Sequence, residues 1–203
     1  MSDGAKILFS ELEAGLAADP TWILTKHSII RKVSALLAAQ FTAINTAFED
    51  NLFSRFPELR NRQPKITRGE QYQQLPYVIL DYPAIFSKEA VIALRTMFWW
   101  GNFISITLHL SGHYKRELEA SIAANLAVSG ADLYVSNGTT EWEHDLIPSN
   151  YTRADQLSTE ALYKKIVQPS FVKIALQFDL GQLNHMEPLL GSAYEKLSAL
   201  TKA

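Results

Sequence analysis

Residues 91–110 read VIALRTMFWWGNFISITLHL, and how this stretch is read decides the fold. No Asp, Glu, Lys or Arg occurs between Arg95 and Lys115, so by length and apolarity alone the segment would pass as a membrane-spanning helix. Gly101-Asn102 interrupts it in the middle, however, and Ser105, Thr107 and His109 recur at every second position. Period two marks a strand, and Gly-Asn supplies the positive φ that a tight turn requires. The stretch reads as a β-hairpin, and no membrane partner is expected.

With a two-residue loop, Trp100 stands opposite Phe103 and the register of the pair follows. One face then carries Ile92, Leu94, Thr96, Phe98, Trp100, Phe103, Ser105, Thr107 and His109, with Thr96 directly across from Thr107. The other face carries Val91, Ala93, Arg95, Met97, Trp99, Ile104, Ile106, Leu108 and Leu110, and reads as core. The first face mixes aromatic surface with a row of hydroxyls ending in an imidazole, which suits one wall of a small-molecule pocket. His109 is its candidate acid/base, and Thr96, Trp100, Ser105 and Thr107 are candidate ligand contacts. A half-solvated sheet face is the plainer alternative.

Arg95 is the odd member of the core face, because a guanidinium is rarely buried without a partner. It is expected to reach water, to pair with an acid such as Glu70 or Asp81, or to present its fork to an anionic ligand.

Working outward, residues 21–56 place Ile29, Ile30, Val33, Leu36, Leu37, Phe41, Ile44, Phe48 and Leu52 at three- and four-residue steps. This pattern predicts one long amphipathic helix starting after Asp19-Pro20 and stopping before Pro57, with a shorter helix from about Lys6 to Leu16 beside it. Residues 57–75 read as a basic polar connector. Its tract from Thr67 to Gln74 is dense in hydrogen-bonding groups and is a candidate pocket rim, with Arg68, Glu70 and Tyr72 as ligand contacts.

Residues 76–82 read as a strand. A second hairpin is expected around Asn137-Gly138, pairing 132–136 with 139–144. Tyr114, Leu118, Ile122 and Leu126 predict a helix, Ser158 caps another, residues 172–180 alternate as a last strand, and 187–200 close the chain as a helix. The fold class is α+β: an N-terminal helical pair, a mainly antiparallel sheet of about six strands with two tight hairpins, and helices packed on one face.

The 203 residues form one expected domain, since 47% hydrophobic and 20% charged residues suffice for one filled core. A net charge of −2 gives no field drawing the chain to nucleic acid, so none is expected. The absence of cysteine excludes disulfides, thiolate metal sites and thiol nucleophiles, and with no visible export signal it suggests a cytoplasmic protein. Walker A, G-x-S-x-G, G-x-G-x-x-G and H-E-x-x-H motifs are all missing.

His109 and His113 lack the shared helical face a metal pair would use, and strand alternation splits Glu141 and Glu143 from His144, so no metal site is expected. His113 stays a candidate ligand contact, and the residues name no cofactor. The leading reading is a small-molecule binding or enzymatic pocket on the sheet. The alternative is an interaction protein that forms a homo-oligomer through the long first helix.

Overall fold

A computed structural model describes residues 7–138 and 140–202. Its centre is a sheet of seven strands, all pairs antiparallel, in the order β1-β2-β3-β4-β7-β5-β6. The strands are β1 (Lys65–Tyr72), β2 (Leu75–Phe86), β3 (Val91–Trp99), β4 (Phe103–Ser111), β5 (Tyr134–Ser136), β6 (Tyr151–Arg153) and β7 (Phe171–Asp179). Six α-helices lie among the described residues: α1 (Glu11–Ala18), α2 (Pro20–Ala39), α3 (Phe41–Phe48), α4 (Gly112–Ser129), α5 (Thr159–Val167) and α6 (Met186–Leu200). The α+β class holds, with seven strands in place of about six. No helix is long and apolar enough to cross a membrane among the described residues, and 91–110 is the β3-β4 hairpin.

That hairpin differs from expectation by one residue. Gly101 has φ +73, but Trp99 faces Phe103, so the loop contains three residues and Asn102 N–H bonds to the Trp99 carbonyl at 3.1 Å. Shifting a register by one residue turns every side chain of one strand to the opposite face. The helix-covered face therefore carries Ile92, Leu94, Thr96 and Phe98 with Ile104, Ile106, Leu108 and Leu110. Ala93, Arg95, Met97 and Trp99 join Phe103, Ser105, Thr107 and His109 on the other, open face. Thr96 is thus a core residue, its hydroxyl 2.9 Å from the Tyr194 hydroxyl on α6, and Thr107 stands opposite Arg95.

The second hairpin does not form as expected. β5 pairs with β6 and β7, and residues 140–144 are not a strand; Thr139 lies outside the described residues. Gly138 does take a positive φ of +80, but Asn137 spends its hydrogen bonds across a wider neck. Its backbone N–H bonds to the Asn150 carbonyl at 2.7 Å, and its amide nitrogen donates to Pro148 and Ser149 carbonyls at 2.9 and 3.1 Å. Residues 140–150 are released to fold back over the open face.

The expected connector at 57–75 is also corrected. Pro57–Asn61 is a 3-10 turn, and most of the rest is edge strand β1, joined to β2 through Gln73 and Gln74 at φ +48 and +64. Glutamines at positive φ carry none of the Asn/Gly signal by which a tight hairpin is recognised.

The single helix over 21–56 is broken into α2, α3 and a π-helical turn at Glu49–Phe53. Gln40, at the break, is buried and donates its amide to the Leu36 carbonyl at 3.0 Å. Val33, Leu37, Ile44 and Phe48 fill the core as the stripe requires, whereas Phe41 is 40% exposed and lies against the Tyr82 ring at 4.9 Å. The expected helix start at Lys6 falls outside the described residues. α1 begins with a capping box between Ser10 and Glu13 and buries no residue, touching α2 where Trp22 donates to the Leu16 carbonyl at 2.9 Å. α4, α5, β7 and α6 lie where their periodicity and caps put them, with Leu118, Ile122, Leu126, Leu190, Tyr194 and Leu197 all buried.

Two turn glycines give a paired test. A Cβ on Gly101 would meet open space, while one on Gly112 (φ +60) would lie 2.2 Å from the Glu89 carbonyl oxygen. Gly101→Ala is expected to cost the left-handed backbone term alone, about 1–2 kcal/mol. Gly112→Ala must also displace backbone and is expected to cost clearly more. Urea midpoints for the two variants check the order.

Candidate functional site

The open face of the sheet holds two cross-strand rows. Asp81, Arg95, Thr107 and Ala175 stand side by side on β2, β3, β4 and β7, and Ala93, His109 and Lys173 form the next row. A bulge in β2 sets the first of these. Asp81 pairs with Arg95 and Ala84 with Ala93, so Tyr82 and Pro83 share one partner position. Tyr82 consequently turns into the helix side, where its hydroxyl donates to Asn45 at 2.7 Å, and Asp81 stays beside Arg95.

Arg95 is held as a fork. Its Nε and Nη2 donate to the two Asp81 carboxylate oxygens at 2.7 and 2.9 Å, and its Nη1 lies 3.1 Å from His144 Nε2. A guanidinium can only donate, so His144 Nε2 is the acceptor and its imidazole is neutral, protonated at Nδ1. Of Arg95's anticipated partners, Asp81 is the one found; Glu70 points the other way and pairs with Lys26 at 2.5 Å.

His144 belongs to the segment 140–150, which is pinned over the sheet by several contacts. The Tyr72 hydroxyl accepts the backbone N–H groups of His144 and Asp145 at 2.8 and 3.2 Å. Lys173, almost wholly buried, donates its ammonium to the Glu141 carbonyl at 3.0 Å and also to the Glu143 carbonyl. Asp145 accepts from the Gln73 amide at 2.8 Å. Lys173 therefore clamps the backbone of this segment to β7.

Two cations act on both imidazoles. Burial, then Lys173 and Arg95, hold His109 down at about 3, and burial with the same two cations depresses His144. Glu141 lies 3.3 Å from His109 Nε2 but is misaligned for a hydrogen bond and partly exposed, so burial and the two cations prevail. His109 Nε2 is left buried without a hydrogen-bond partner. Burial and Arg95 bring Lys173 down to about 8 in spite of Glu143, Glu141 and Asp145 nearby.

Between the segment 140–150 and the β1-β2-β3 part of the sheet lies a cavity of about 580 Å³. Ile79 and Met97 lie along the sheet, Tyr72, Tyr77, Phe86 and Trp142 give aromatic walls, and Lys65 and Thr67 stand on the edge strand. Asp81, Arg95 and His144 form its polar end. A second chamber of about 10 Å³, the space of about one water, lies among Ala93, Thr107, His109 and Lys173 and shares Phe86, Arg95 and His144 with the first.

No family model, curated protein or solved structure matches this chain. What the site can do rests on its own geometry.

Of the residues singled out from sequence, Tyr72 and Arg95 line the larger cavity, and Arg95, Thr107 and His109 line the smaller. Ser105 is buried on the same face but lines neither. Arg68, opposite Val78, and Glu70 face the helix side of β1. Thr96 is in the core, Trp100 sits in the hairpin turn against Phe98 at 6.1 Å, and His113 stacks on Tyr114 at 3.9 Å in the first turn of α4. No group of three or more His, Asp or Glu able to hold a metal occurs among the described residues.

His144, Trp142, Lys173 and Phe86 were not singled out as site residues. Lys173 left one trace in the sequence, a charge alternating with Val172 and Ile174 in the apolar first half of the strand. Trp142 and His144 left none, because their place depends on the route of 140–150.

Proposed function

We propose that this chain binds a small organic molecule in the cavity over the open face of its sheet. The observation that carries this reading is the pairing of aromatic walls with one fixed polar end, Asp81-Arg95-His144, in a space of about 580 Å³. Ligand sites are commonly apolar clefts of roughly 300–1,000 Å³ with a few fixed polar groups. His109 stands in the small chamber, neutral at pH 7, and does not line the larger one, so the reading is one of binding, with no reaction attached.

Trp142 tests it. Its side chain is 71% exposed on the covering segment, so Trp142→Ala is expected to shift stability by no more than about 0.5 kcal/mol. The same variant is expected to lose most of any ligand-induced rise in Tm seen with wild type across a panel of aromatic and aliphatic metabolites. A panel that shifts both proteins equally, or neither, counts against the cavity.

A second reading has its own observation. Ile7, Leu8, Phe9, Leu12, Leu16, Trp22 and Leu24 are exposed along α1 and its surroundings, and this many exposed large apolar side chains in one stretch of chain favours a protein partner or a second copy. Running the same melts at two protein concentrations separates the readings, because a self-associating protein has a concentration-dependent Tm.

A further inference from the structure

Resting on the cavity reading above, we infer that its ligand is a planar aromatic carboxylate, the ring lying among Tyr72, Tyr77, Phe86 and Trp142 and the carboxylate meeting the guanidinium of Arg95.

The ring follows from the walls. Four aromatic side chains with Ile79 and Met97 offer flat apolar surface and few hydrogen-bonding groups away from the polar end. A polyol would find partners at Lys65, Thr67 and the tyrosine hydroxyls but would leave the flat apolar walls unused, whereas an aromatic ring covers them.

The carboxylate follows from Arg95. A guanidinium has five N–H donors, and three are used here, two by Asp81 and one by His144. The other two make no hydrogen bond among the described residues, on a side chain that lines the cavity. Asp81 and His144 fix the plane of the fork, and the Phe86 ring lies 5.8 Å from the guanidinium carbon, so no side-chain ordering is required when a ligand arrives. A planar, fixed fork with spare donors matches a carboxylate.

The polar end holds charges of both signs. Arg95 and Lys173 both depress the two histidines, and no carboxylate is felt strongly enough at either imidazole to offset them. Lys65 on the edge strand adds a third cation at the cavity wall. Asp81 is paired with Arg95, and Glu141, Glu143 and Asp145 lie near Lys173, so the place of the anion is set by the two free donors of Arg95 and not by net charge. The second chamber is too small for a carboxylate, so the head group is placed on the outer side of Arg95 and the unpartnered His109 plays no part in holding it.

Indole-3-propionate and its neutral amide, indole-3-propionamide, test the assignment by isothermal titration calorimetry on the full chain. The two differ in the head group and share the ring. A charge-assisted hydrogen bond exceeds a neutral one by enough that the carboxylate is expected to bind at least about tenfold tighter. In the paired variant Asp81→Leu/Arg95→Met, which removes the fork with its counter-ion, that preference is expected to vanish while ring binding persists.

Equal binding of acid and amide to wild type would overturn the carboxylate and leave the cavity reading standing. A preference that survives in the paired variant would place the anion away from Arg95 and likewise overturn the inference. If neither compound binds, the inference fails; whether the cavity reading fails with it is told by the wider panel with Trp142→Ala.

Discussion

Arg95→Met is expected to cost the fold roughly 3–5 kcal/mol, the usual effect of removing one partner from a buried ion pair. The side chains of Arg95 and Asp81 are only 19% and 11% exposed, and their two parallel hydrogen bonds satisfy both sides of the carboxylate. Without the guanidinium, Asp81 would sit beside Ile79 and Phe86 with its charge uncompensated, and His144 Nε2 would lose its donor. Removing both partners is different. Asp81→Leu/Arg95→Met takes away two desolvated charges together, and exchanging a buried pair for apolar residues is often neutral or stabilising. The double variant is expected to recover about 2 kcal/mol, leaving about 1–3 kcal/mol for the unsatisfied imidazole. Urea denaturation of wild type, single and double variants measures this. A single variant within about 1 kcal/mol of wild type would mean that water already screens the pair.

The second large effect is on pH. Burial first, then the cations of Lys173 and Arg95, put His109 at about 3 against an ordinary 6.5 and lower His144 as well. Both imidazoles are neutral in the fold but take up protons when the chain unfolds. Below the unfolded value of about 6.5, the unfolded state binds more protons, so stability falls as pH falls. It is complete above about pH 6.5 and is lost progressively on the way down to about pH 3. Each pH unit is worth up to about 1.4 kcal/mol per histidine, so by pH 5 roughly 2 kcal/mol is lost for each.

Carboxylates titrate mainly below pH 5, at about 3.9–4.3, which makes pH 7 against pH 5 a clean comparison. His109→Gln is expected to reduce the pH-dependent loss by about half. A wild-type urea midpoint unchanged between pH 7 and pH 5 would show that neither imidazole is kept from water. Lys173 acts in the alkaline range with the same sign. Burial brings it to about 8 from 10.5, so stability rises as pH climbs through that interval.

The candidate site was legible in pieces. Arg95 stood out as a charge in an apolar run, and Asp81 was one of the two acids named as its partner; that pair is the anchor of the polar end. Thr107 and His109 were correctly placed on one face, because alternation within a single strand is local. Thr96 was put with them wrongly, since its face depended on pairing between strands. The segment 140–150 was misread most. Asn137-Gly138 signals a turn, and Gly138 does take positive φ, but that signal does not say which strand follows.

What the sequence by itself determined was the kind of each strongly periodic element. The 91–110 stretch is a strand pair because alternation and Gly101 are properties of the local chain, and the same holds for the helix through Leu118 and Ile122, the Ser158 cap and the alternating β7. Tertiary structure alone decided the faces. Gly101-Asn102 accommodates a two- or a three-residue loop, so the turn cannot choose between registers that differ by one residue. Partners distant in the chain make the choice. In the observed register Thr96 reaches Tyr194 on α6 and Arg95 reaches Asp81 on β2; the alternative would bury a guanidinium under the helices and leave Leu94 and Phe98 on the open face. The energies that set the register belong to contacts between elements, and a reading confined to one stretch of chain contains none of them.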